Sequence, residues 1–292
     1  MISLIGLVVV LGAIAGGYLM EHGKFLVLVQ PAELLIILGS AIGTVVVANP
    51  LPTLMRIVKG MLGILSGSPF NKAFYLENLK MIYELYNVAR KSGTAKLEEE
   101  VDNPGKSPVF SKYPKFMKAH HAVNFLCDTL RMAVSGGVDP MEIDQMMEVD
   151  LEVHHREAGE PIAALSTMAD SLPGLGIVAA VLGIVITMGS LGGPKEQIGE
   201  HVASALVGTF LGILLCYGVA GPLSSNMTKT ADDHNDYLHM LRVLMLSFLK
   251  GAAPMIAIEM GRRAIPAHVR PSFDEMEKCC KGHGAAPEAI AA

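Results

Sequence analysis

Four stretches with no charged side chain, each long enough to be a membrane span, limit this chain more than any other feature. They are Met1–Met20, Leu34–Leu51, Leu172–Leu191 and Val202–Leu223. A helix of about 20 apolar residues crosses a hydrocarbon core of roughly 30 Å. The chain of 292 residues is 51% hydrophobic and only 17% charged, with a mean hydropathy of +0.43. Its apolar residues stand in blocks instead of at core periodicity. The expected fold class is all-α: a polytopic membrane protein with four transmembrane helices and a helical cytoplasmic domain. A cleaved signal peptide is the other reading of the first stretch. The first Lys is Lys24, and Tyr18-Leu19-Met20-Glu21 makes a poor cleavage site, so we read a retained helix.

Orientation follows from the basic residues. Of 23 Lys and Arg, 13 lie in 52–168 and 8 in 224–292, while 21–30 holds only Lys24 and 192–201 only Lys195. The positive-inside rule places the two basic regions, and with them both termini, in the cytoplasm. The organisation expected is two spans in 1–51, a cytoplasmic helical domain in 52–168, two spans in 169–223, and cytoplasmic helices with a tail in 224–292. A net charge of −5 argues against nucleic acid as a partner.

The 52–168 region reads as helical. Leu76, Leu79, Ile82, Tyr83, Leu85, Tyr86 and Ala89 form one stripe along Lys72–Lys91, which Gly93 ends. A short acidic helix (96–101) and a turn at Asp102-Asn103-Pro104-Gly105 follow, then a helix over Phe116–Val134. Asp139-Pro140-Met141-Glu142 is a strong helix start, and that helix is expected to run, bent at Pro161, into the third span. The tail from His283 onward is expected to be disordered. Three of the four cysteines, Cys127, Cys279 and Cys280, fall in expected cytoplasm, so no disulfide framework is implied. Cys279-Cys280-x-x-His283 is an incomplete metal set. His120-His121 and His154-His155 read as surface pairs.

Polar and helix-breaking residues at the edge of hydrocarbon are costly, which points to Asp170, Pro173 and Pro222 as parts of an ion path or hinge. Asp170 can attract cations at the inner mouth or can cap the third helix, and both readings stand. Thr187 and Thr209 are expected to share a depth, and either hydroxyl can instead bond a carbonyl of its own helix. Gly12-xxx-Gly16, Gly39-xxx-Gly43, Ala179-xxx-Gly183 and Gly208-xxx-Gly212 match the small-residue spacing that lets membrane helices touch, so tight packing is expected in all four spans.

Several motifs together carry a resemblance. They are Gln30-Pro31-Ala32-Glu33-Leu34, then Asp170-Ser171-Leu172-Pro173-Gly174-Leu175-Gly176, then Val207-Gly208-Thr209-Phe210-Leu211-Gly212 with Pro222, and finally Arg270-Pro271-Ser272-Phe273. With the loop lengths, they resemble the MotA family of bacterial flagellar motor stator subunits over essentially the whole chain. The resemblance implies a multi-pass protein of the bacterial inner membrane, a homopentamer around two copies of MotB, and contact with the rotor protein FliG. It implies that MotB supplies the ion-carrying aspartate and the grip on peptidoglycan. Arg90 and Glu98 match the family's rotor-contact positions. Ala180 stands where sodium-type relatives carry Thr, which implies transported protons in preference to sodium. No cofactor is implied. The spans quoted above contain no acidic residue, which suits a subunit that lines the path without holding the carrier.

Two other classes are open to a chain of this kind. A TolQ/ExbB-like proton-channel subunit would energise outer-membrane processes instead of rotation. An enzyme would need catalytic groups near the spans, and the sequence offers no Ser/His/Asp set, carboxylate pair or metal cluster there.

Overall fold

The computed structural model describes residues 2–189, 192 and 194–282, and among them every regular element is helical. In chain order the helices are α1 (Ile2–Met20), α2 (Phe25–Leu28), α3 (Pro31–Ala48), α4 (Leu51–Ser66), α5 (Lys72–Ser92), α6 (Thr94–Asp102) and α7 (Pro114–Met117). They continue with α8 (His120–Ser135), α9 (Pro140–Gly189), α10 (Lys195–Leu214), a π-helical segment Leu215–Ala220, α11 (Gly221–Leu249), α12 (Pro254–Ala264) and α13 (Phe273–Cys280). Among the described residues, four helical stretches are long and apolar enough to cross a membrane: Ser3–Met20, Phe25–Ala48, and parts of Pro140–Gly189 and Ile198–Leu249. The expected end of the third span at Leu191, and His283 with the tail beyond it, lie outside the described residues.

The chain forms two compact units, residues 1–67 with 157–231 and residues 68–156 with 232–292. In the first unit the cores are small. One gathers Ile37, Ala41, Ala169, Leu172, Ala179, Cys216 and Ala220, and the other Ile57, Ile64, Ala164, Leu165 and Met227. Large apolar side chains point outward instead, with Val47 91% exposed. Helices α9 and α10 meet backbone to backbone. A Cβ on Gly176 would lie 2.9 Å from the Gly208 carbonyl oxygen, and one on Gly212 would lie 2.6 Å from that of Leu172. The Ala179/Gly183 and Gly208/Gly212 pairs are thus engaged. Gly12, Gly16 and Gly43 have nothing within 4 Å and Gly39 only Leu35 of its own helix, so the expected tight packing holds for two spans within one chain. At one end of this unit Asn226 donates to the Ser3 hydroxyl at 3.0 Å, and Arg56 pairs with Glu157 and Glu160 at 3.8 Å.

Two boundaries differ from the sequence reading, the start of α3 and the helix expected from Phe116, whereas α9 starts at Pro140 and runs into the third span as expected. Pro31, with its donor missing and its φ preset, starts α3 three residues before Leu34, which brings Glu33 into the helix. Pro140 starts α9, where Asp139 Oδ1 accepts the Met141 N–H at 2.7 Å, and the helix runs through both Pro161 and Pro173 to Gly189. Asp170 therefore caps no helix end, because Pro140–Ala169 is already helical before it. The helix expected from Phe116 is two elements, α7 and α8.

The second unit has a conventional core. Tyr75, Tyr86, Tyr237, Phe110, Phe116 and Leu126 are fully buried, and the Tyr86 and Phe248 rings stack at 3.9 Å. Asn71 caps α5 by accepting the Phe74 N–H at 2.9 Å, and Gly93, at φ +85°, turns the chain into α6 as its position demands. The buried Tyr237 hydroxyl donates to Asn78 Oδ1 at 2.8 Å, and Arg242 pairs with Asp144 at 2.6 Å. The two histidine pairs are not simple surface groups. His120 and His155 are exposed, but His121 and His154 turn inward and meet His234.

Candidate functional site

The contacts between α9 and α10 fix a register, and that register decides which candidate residues share a level. Gly176 lies against Gly208, Thr209 and Gly212, and Gly183 lies against Ala205. In this antiparallel pair Thr209 is level with Ala179 and Ala180, and Pro173 is level with the start of the π-helical segment. Thr187 sits far from Thr209, toward the other end. The expectation that the two hydroxyls share a depth is thus corrected: glycine contacts set the register, not equal spacing from the two prolines. The Thr187 hydroxyl donates to the Gly183 carbonyl at 2.8 Å, the local bond of its own helix.

On α9, Asp170, Pro173, Ile177 and Ala180 recur at helical spacing and fall on one face. Asp170 and Ile177 are exposed, Pro173 and Ala180 half-buried. Thr209 on α10 is half-buried at the Ala180 level. The chain itself leaves this face partly uncovered. Pro173 removes one backbone donor from the middle of α9, which frees a carbonyl one turn earlier. Pro222 is exposed and follows directly on the π-helical turns Leu215–Ala220, whose wider winding is a common companion of a helix irregularity at a working site.

Glu33 is the functional candidate that sequence reasoning missed. Its side chain is only 5% exposed and sits between α3, α9 and α10. The Ser204 hydroxyl donates to Oε1 at 3.5 Å, while Oε2 is buried without a hydrogen-bond partner. The absent side chains of Gly183 and Gly208 make room for it: a Cβ on Gly208 would be 2.6 Å from Oε2, and one on Gly183 would be 3.6 Å from Oε1. A buried carboxylate with one unsatisfied oxygen is costly in a membrane-spanning bundle, whichever protonation state it holds. The available signal was Pro31, which marks a helix start two residues before this acid. Glu33 lies near the start of α3, at the Gly183 and Gly208 level, and Asp170 lies beyond Pro173 toward the opposite end. Glu33 and Asp170 therefore lie toward opposite ends of the bundle.

The second unit carries the remaining candidates. Arg90 in the last turn of α5 and Glu98 on α6 are both exposed, and among the described residues neither enters an ion pair. Cys279 and Cys280 are buried, and burial pushes the Cys280 thiol up to about 12, so it stays protonated at neutral pH. All four cysteines are free, and no group of three metal-ligating side chains occurs among the described residues.

Comparison with known proteins covers most of the chain. Residues 4–93 match the family described as motility protein A N-terminal, and residues 118–240 match the MotA/TolQ/ExbB proton channel family. Motility protein A of Escherichia coli (strain K12) is 39% identical over 278 residues, covering 95% of this chain and 94% of that protein. The chemotaxis protein LafT of Vibrio parahaemolyticus is 33% identical, covering 94% of this chain and 96% of its own. Among solved structures, MotAB of C. jejuni superposes with a TM-score of 0.76 at 20% identity over 92% of this chain and 98% of its own. The flagellar MotAB stator complex of Bacillus subtilis gives 0.72 at 22% identity, over 94% and 97%.

Proposed function

The chain belongs to the motility protein A family, and on that premise we propose how its membrane unit works. It is a stator subunit of the bacterial flagellar motor, a multi-pass protein of the inner membrane and not an enzyme. With MotB it forms an ion channel that converts ion flow into torque. The match to motility protein A of Escherichia coli along 95% of the chain carries this reading. The transported ion is the proton, in keeping with Ala180 standing where sodium-type relatives carry Thr. The assembly is a pentamer around MotB, with both termini in the cytoplasm and Arg90 and Glu98 exposed for contact with FliG.

In this mechanism the partly uncovered α9 face of Asp170, Pro173, Ile177 and Ala180, with Thr209 beside it, faces the carboxylate of MotB. Protonating that carboxylate in low dielectric removes a charge whose interactions there amount to several kcal/mol. Pro173 and the π-helical segment before Pro222 are the compliant points of the two helices, so the change in charge shifts their local packing. Glu33 and Asp170, toward opposite ends of the bundle, draw cations toward the path. The test is a gene deletion complemented with Pro173→Ala, Pro222→Ala or wild type. Wild type should restore swimming, and both variants should reach the membrane yet turn slowly or not at all. Restored swimming in both variants would remove the coupling role. Collapsing the proton and sodium gradients separately identifies the ion, and full motility without a proton gradient would overturn the proton assignment.

A further inference from the structure

Three histidines that ion transport leaves unused meet inside the second unit. His121 comes from α8, His154 from α9 and His234 from α11. His154 Nε2 and His234 Nδ1 are 3.1 Å apart, and the His121 and His154 rings stack with centroids 3.9 Å apart. His121 meets His234 edge-on at 6.2 Å, and its Nδ1 is buried without a hydrogen-bond partner. Phe70 stacks against His234 at 5.6 Å. This arrangement suits neutral rings. Between His154 and His234 one N–H donates to one bare nitrogen, and a proton added to the acceptor sets two N–H groups against each other.

The surrounding charges do not cancel that penalty. His234 opens onto a groove lined by Lys72, Lys115, Lys118 and Glu275, and Lys72 pairs with Glu275 at 2.6 Å. Lys115 reaches Glu77 at 3.6 Å, so two of the three lysines on that side already have a carboxylate partner and each of those carboxylates is engaged away from His234. Asp128 and Asp150 line the smaller groove beside His121, and Asp128 is held by Arg131 at 2.7 Å. Asp233, next to His234 in the chain, accepts from the Ser68 hydroxyl at 2.8 Å. Burial first, and then the two neighbouring rings, lower His234 to about 4.

We propose that the three-histidine cluster is an acid-sensitive latch that holds α8 against α9 and α11 while the His234 ring is neutral and releases α8 when that ring gains a proton. A depressed histidine stabilises the fold fully above its unfolded value of 6.5 and loses that contribution as pH falls toward about 4. With this unit on the cytoplasmic side, the latch answers to protons accumulating where they are discharged, and that clause alone rests on the proposed function.

The decisive measurement is hydrogen exchange on the full chain purified with its MotB partner, at about pH 7.5 and about pH 5.5, corrected for intrinsic exchange. Amides of His120–Ser135 should lose protection by about tenfold on acidification, while α12 and α13 change little. His234→Phe keeps a flat ring beside Phe70 and cannot titrate, so it should flatten this response; His121→Leu should reduce it. Unchanged α8 protection in the wild type, or an equal loss in both variants, overturns the latch. If His234→Phe fails to fold, the wild-type profile and His121→Leu decide. Because exchange needs neither ion flow nor torque, a failed latch leaves the stator reading untouched, and a failed stator reading leaves the latch testable.

Discussion

The two units of this chain solve the packing problem in opposite ways. In the second unit, large rings such as Tyr75, Tyr86, Phe110 and Tyr237 are hidden and, Glu100 apart, charges lie at or near the surface. In the first, the hidden residues are mostly small and the large aliphatics, such as Ile42 and Val47, are exposed. Water drives apolar surface inward, but lipid tails are as apolar as leucine and give no such push. What remains to hold membrane helices together is close backbone contact, which glycine permits at Gly176 and Gly212. The same chain therefore follows two sets of substitution rules.

The largest contrast comes from truncating one aliphatic side chain in each unit. Leu85→Ala, at a fully buried site of the second unit, should cost about 2–5 kcal/mol. Ile42→Ala, 60% exposed on α3, should cost the isolated chain almost nothing. Unfolding followed by hydrogen exchange within α5 and α3 measures both, and equal losses would erase the contrast. Next is overpacking. Gly212→Leu, driven against the Leu172 carbonyl, should destabilise by about 3 kcal/mol and cut the yield of folded protein on size-exclusion chromatography. Gly12→Leu, with nothing within 4 Å in this chain, separates packing inside the chain from packing between copies: a folded chain that no longer assembles places Gly12 at a subunit contact.

A smaller effect is expected from Tyr237→Phe. It leaves Asn78 Oδ1 buried without its hydroxyl donor, at a cost of about 1–3 kcal/mol by thermal unfolding. The smallest concerns pH. Arg262 foremost, with Arg263, holds the Glu259 carboxylate down to about 2. A lowered acid stabilises the fold above its unfolded value of 4.5, and the contribution fades as pH falls from there toward 2. Solvent screening keeps the loss below about 1 kcal/mol. Glu259→Gln should flatten that part of the acid limb, and an unchanged limb would show that the pair adds nothing.

What the sequence made legible follows the same division. Uncharged runs announce membrane helices because lipid tolerates almost no interruption. The α9 start was readable because Asp139 and Pro140 are local signals that need no tertiary partner. Glu33 was not, since a polar residue at the edge of an apolar run looks like loop until Pro31 is recognised as the first residue of the helix. The Thr187 and Thr209 levels were also hidden, because glycine contacts between two helices choose the register and neither helix encodes it alone. His121, His154 and His234 lie far apart in the chain, and only the packing of three helices brings their rings together.

The π-helical turns at Leu215–Ala220 have a consequence for anyone counting along this helix. Winding of this kind lodges one surplus residue, which rotates every later side chain by about 100° from where an unbroken count would put it. Periodicity traced through α10 therefore mislabels inward and outward positions in α11. Removing Gly218 should leave the hydrophobic tally unchanged while turning Asn226 away from Ser3. In alignments of such helices, a single-residue gap at this point marks a change of angle, and length is its least important effect.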